Sequence, residues 1–152
     1  MTALLLLKKY FNVYKFILYG LAMAVFTSCV KENTPKTPVD NPVDTMMAMK
    51  RFSGTFGNGP YGTVSGTAKI YLKDSNQHIL ALENFNSSNG PDLHVYISKE
   101  VQPVNYIDIG RLQSVGGNQQ YPLTNNLNFS EYRYALIHCQ QYNHLFGSAE
   151  LK

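Results

Sequence analysis

From residue 50 onward the apolar positions recur with period two. Gly66-Thr67-Ala68-Lys69-Ile70-Tyr71-Leu72 places Ala68, Ile70 and Leu72 on one face, as a half-buried strand requires. Asp74-Ser75-Asn76 is a turn signal, and residues 79–85 read as a second strand. Leu93, Val95 and Ile97 alternate with His94, Tyr96 and Ser98, and residues 133–139 and 145–151 form the last two runs. Short strands separated by Gly, Asn and Asp predict a single all-β domain, an antiparallel β-sandwich or partly open barrel. Leu72, Leu82, Leu93, Val95, Ile97, Ile137 and Leu151 are the expected core. Gly57-Asn58-Gly59-Pro60 and Gly116-Gly117-Asn118 read as turns; neither has the spacing of a phosphate-binding loop.

The first 49 residues have a different pattern. Lys8, Lys9 and Lys15 precede an uncharged run over residues 16–27, well short of the ~20 residues that span a bilayer. This is the layout of a signal peptide, expected over residues 1–28. Phe26-Thr27-Ser28-Cys29 resembles a bacterial lipobox, whose cysteine is acylated with palmitate-type chains and becomes the mature N-terminus. The alternatives are an ordinary cleaved signal with an incidental Cys29 and an uncleaved anchor helix. Residues 29–49 follow, with Pro35, Pro38 and Pro42 among polar residues. That composition predicts an extended, semi-stiff spacer, with Met46, Met47 and Met49 leading into the first strand. Three thioethers also suit a soft metal, but Met more often fills packing gaps. Residues 50–152 are left as the folded domain. Within the spacer, Asp44-Thr45-Met46 resembles a short acceptor motif for periplasmic O-glycosylation, with Thr45 as the acceptor. The expected location is the cell envelope, lipid-anchored to a membrane (the outer membrane, on its periplasmic or surface side).

Charge and cysteine usage narrow the chemistry. Of the 13 Lys and Arg, three lie in residues 1–28, leaving 10 against 10 Asp and Glu. The pI near 8.8 therefore belongs to the precursor, and no basic patch points to nucleic acid. If Cys29 carries lipid, Cys139 has no intrachain partner. It is then a reactive thiol, an intermolecular partner or a buried apolar residue. No G-x-S-x-G, H-E-x-x-H, C-x-x-C or C-x-x-C-H motif occurs, so a classical enzyme is not expected. His138 and Cys139 are adjacent and point to opposite faces of a strand, so they do not make a ligand pair. Cys139 and His144 flank a four-residue connection and would face each other across a hairpin. An imidazole beside a thiol raises its thiolate fraction. Eleven tyrosines and no tryptophan leave open a carbohydrate-binding or adhesive surface, although residues such as Tyr71, Tyr106 and Tyr134 suit plain strand positions.

Several ordered motifs add a resemblance. Phe52-x-Gly-x-Phe56 and Gly66-Thr67-Ala68 open the domain, Asn84-Phe85 precedes GPDLHVYIS at residues 90–98, and Ile109-Gly110-Arg111-Leu112 is followed by Gly117-Asn118-Gln119-Gln120-Tyr121. The chain closes on ALIHCQQYNHLFGSAEL. Together they resemble the electron-transfer DM-thirteen domain over the whole of residues 50–152. The resemblance implies a β-rich extracytoplasmic domain with a redox role on its near-constant cysteine, here Cys139. That cysteine would serve as a free thiol or as ligand to a prosthetic group such as haem or copper, exchanging electrons with a partner protein. The sequence departs from the family at His138, where an aromatic often precedes the cysteine, and His144 is not a family position. The competing expectation is a non-catalytic surface binding module in which Cys139 is a buried structural thiol.

Overall fold

A computed structural model describes residues 33–73, 77–123 and 127–152. The described residues form ten strands: β1 (Val39–Asp40), β2 (Ala48–Thr55), β3 (Gly57–Asn58), β4 (Val64–Lys73), β5 (His78–Ser87), β6 (Leu93–Ser98), β7 (Tyr106–Arg111), β8 (Gly116–Pro122), β9 (Tyr134–Cys139) and β10 (His144–Glu150). One sheet has the order β1-β8-β5-β4-β2 and the other β3-β10-β9-β6-β7. Every pairing is antiparallel except β1 on β8. The sheets do not close into a barrel, so the sandwich is the form adopted. Among the described residues there is no helix long and apolar enough to cross a membrane.

The period-two pattern does what it predicts between the sheets. Ala68, Ile70, Leu80 and Leu82 meet Leu93, Val95, Ile97, Ala135 and Ile137 in one core. Of the expected core, Leu72 alone is only half-buried; it lies one residue from the end of β4. Of the two glycine-rich segments expected to turn, Gly116-Gly117-Asn118 is strand throughout, and the first is strand at Gly57–Asn58 and bends at Pro60. Gly57–Asn58 pairs with β10, and Gly116–Pro122 is a seven-residue strand inside the first sheet. Gly117 makes this possible: its φ is +99° and a Cβ there would lie 1.9 Å from the Val39 carbonyl oxygen. Only glycine allows so close a backbone approach.

The proline-rich segment also differs from the expected spacer. From Thr34, 7 % exposed, it straps onto the sandwich. Val115 N–H donates to Pro35 O, and Asn41 N–H to Asn118 O. Ser114 Oγ donates to Pro35 O and Thr37 O, and Gln120 Nε2 to Pro42 O. Proline lacks an N–H but keeps its carbonyl, so a proline-rich strand can pair as an acceptor. Beyond β1 the chain passes from one edge of the sheet to the other. Val43 packs there on Tyr71, Ile79 and Ala81 and covers the outer face. Regular pairing then resumes at Ala48, two residues before the expected boundary.

Candidate functional site

Cys139 is the last residue of β9, 1 % exposed, in the core between the sheets. Alternation fixes its direction: Ala135, Ile137 and Cys139 face inward, whereas Leu136 packs with Tyr96 and Leu145 on the outer face. Its Cα partners are Leu93 on β6 and His144 on β10. His138 therefore points away from the thiol, and His144 sits directly across the hairpin from it. Residues 140–143 close that hairpin. Asn143 takes φ 54°, a conformation Asn tolerates, and Gln140 N–H donates to Asp92 O. The His144 ring is already engaged, stacked on Tyr61 at 3.7 Å and 2°. Loop 59–63 carries Tyr61 over β10, with Gly59 N–H donating to Phe146 O and Tyr61 N–H to Leu145 O.

The outer face of the same sheet holds a second cluster that reasoning from spacing missed. His94 and His138 are cross-strand neighbours. Beside them Tyr96, 1 % exposed, stacks on Tyr106 at 4.3 Å and on His138 at 5.1 Å. His94 Nδ1–H donates to the Asp108 carboxylate, at 3.0 and 2.9 Å to its two oxygens. Its Nε2 lies 3.4 Å from Asp92 Oδ1, which also faces the Arg111 guanidinium at 3.1 Å. That 3.4 Å approach lacks hydrogen-bond geometry, which leaves His94 Nε2 buried without a hydrogen-bond partner; His138 Nδ1 is buried without one as well. Burial, then the nearby His144 and His94, hold His138 below the usual imidazole range. Burial, reinforced by Tyr106 and Asp108, pushes the Tyr96 phenol up. The signal for this cluster is the pairing of β6 with β9, which only the tertiary fold supplies.

Among the described residues no group of three or more His, Cys, Asp or Glu is arranged to hold a metal ion. A haem or copper on Cys139 does not fit either, because core side chains surround the thiol and leave it 1 % exposed. Thr45 lies on an exposed turn in which Met46 N–H donates to Asp44 Oδ1 at 3.0 Å. Cys29 lies outside the described residues.

The fold and this site define an all-β sandwich built around one buried thiol. The chain matches the family described as electron transfer DM13 over residues 55–151. That is well over half its length, and the chain belongs to this family, which implies an electron-transfer-related role. No curated protein and no solved structure matches it.

Proposed function

We propose that the chain is a lipid-anchored electron-transfer module of the cell envelope, with Cys29 as the acylated residue and Cys139 as the redox group. Family membership supports the electron-transfer role. The observation that supports Cys139 is its position at a strand end, opposite His144 and beside the four-residue turn 140–143. Opening that turn exposes the thiol without melting the rest of β9. The chemistry is thiol–disulfide exchange with a partner protein. The Cys139 thiolate attacks a partner disulfide, a new S–S bond forms, and the displaced partner sulfur leaves as a thiolate that takes up the proton. His144, the cross-strand partner of Cys139, is the base this reading assigns to the thiol proton once the turn opens.

The burial of Cys139 in the core favours a second reading, a surface binding module with a structural thiol. Alkylation of the folded domain separates the two. A redox group is labelled far faster than the domain unfolds globally, and traps a mixed disulfide with a small aromatic disulfide. Labelling only at the rate of global unfolding would refute the redox role and leave the binding module.

A further inference from the structure

We infer that the end of the sandwich carrying Tyr61, Tyr142 and Arg111 rests on the lipid surface to which the chain is tethered. The inference rests on acylation at Cys29 and goes beyond it by naming the face that docks. Hydrogen bonds and strand register place one set of loops at a single end. Ser88 N–H donates to Thr63 O, Ser87 N–H to Val115 O, Leu112 N–H to Leu93 O and Gln140 N–H to Asp92 O. Tyr61, Arg111 and Tyr142 therefore belong to one rim, and the loop over residues 99–105 lies at the opposite end, beyond Ser98 of β6.

The strap enters the fold at this same rim. Thr34 Oγ1 donates to Gly90 O, and Asn89 Nδ2 donates to Thr34 O. β1 runs parallel to β8, which starts at this end, so the chain leads away from the rim into the sheet. Four residues, Val30 to Asn33, separate Cys29 from this pinned position. Fully extended, those five steps span about 17 Å. That is shorter than the ten-residue β4, which is roughly 33 Å long. A lipid on Cys29 therefore holds this rim at the headgroup layer and keeps the other end away.

The rim's side chains suit that position. Tyr61 and Tyr142 are 57 % and 44 % exposed, and Arg111 is largely exposed. Tyrosine collects at membrane–water interfaces, where its ring is buried and its hydroxyl stays wet. Arginine adds attraction to anionic headgroups.

The test uses full-length processed protein in a Cys139→Ala background, reconstituted in phosphatidylethanolamine/phosphatidylglycerol vesicles doped with a headgroup-nitroxide lipid. A fluorophore is placed at Gln141→Cys on the rim or at Val104→Cys on the far loop. Intact mass is read first. An unacylated Cys29 overturns the anchor and the docked face together. With acylation confirmed, quenching several-fold stronger at position 141 than at 104 is the expected result. Equal quenching overturns the docked face and leaves the anchor standing. Y61S/Y142S should narrow the difference; no change from that pair would remove the two tyrosines as its cause.

Discussion

Gly117→Ala should detach the strap. The φ of +99° and the 1.9 Å approach of a Cβ to Val39 O cannot both be relieved while β1 stays paired, so the least costly response is for residues 34–43 to leave the sheet. Two contributions set the size. Holding a non-glycine residue at that φ costs about 1–2 kcal/mol. Releasing the strap exposes Val43, 8 % exposed when docked, whose burial is worth about 1.5–3 kcal/mol. Because a released strap no longer holds residue 117 at that φ, the smaller of the two bounds the net loss, about 1–2 kcal/mol, readable as a lower urea midpoint. The assay is a double-mutant cycle of Gly117→Ala against deletion of residues 33–43. If the glycine acts through the strap, the two changes are strongly non-additive. Additive losses, or a midpoint unchanged by Gly117→Ala, would refute the reasoning.

Stability should fall on mild acidification. His138 is held below its ordinary value by burial, so the unfolded chain takes up its proton first. Stability from the neutral imidazole is present above the unfolded value near 6.5 and declines as pH drops below it toward the lower folded value; His138→Gln should flatten that slope in urea midpoints between pH 7.5 and 5. Gln119, fully buried, accepts from Tyr121 O–H at 2.8 Å and donates to Ser114 O at 2.8 Å. Gln119→Ala leaves both unmatched and should cost about 3 kcal/mol, against less than about 1 kcal/mol for the control change Gln141→Ala at an exposed turn position; equal losses by calorimetry would contradict this.

The strands whose neighbours are close in sequence were legible in it. Residues 66–72 of β4 alternate cleanly, residues 79–85 read as the next strand, and the four residues between Cys139 and His144 were enough to place the two opposite each other. What escaped depends on partners distant in the chain. Gly116-Gly117-Asn118 has turn composition and becomes a strand because Val39 lies against it. The proline-rich segment carries too little apolar surface to signal order. It is ordered through carbonyls that accept from Val115, Ser114 and Gln120, and composition does not register an acceptor. The His94–His138 pair was hidden for a similar reason, because β6 and β9 are joined across two intervening strands.

The strap also imposes an order on folding. Asp40 and its partner Asn118 are 78 residues apart, so the earliest part of the domain to be synthesised has nothing to pair with until β8 has been made. The β4–β5 hairpin and the β9–β10 hairpin close locally and can form early. Closing the β1 edge must wait for a long loop to be spanned, the slow kind of step in β proteins. Until then the edge of β8 stays open to pairing with a strand from another chain. A nascent chain that stops short of Pro122 would carry that unprotected segment at its amino end, and a chaperone that shields residues 34–43 would act in that interval.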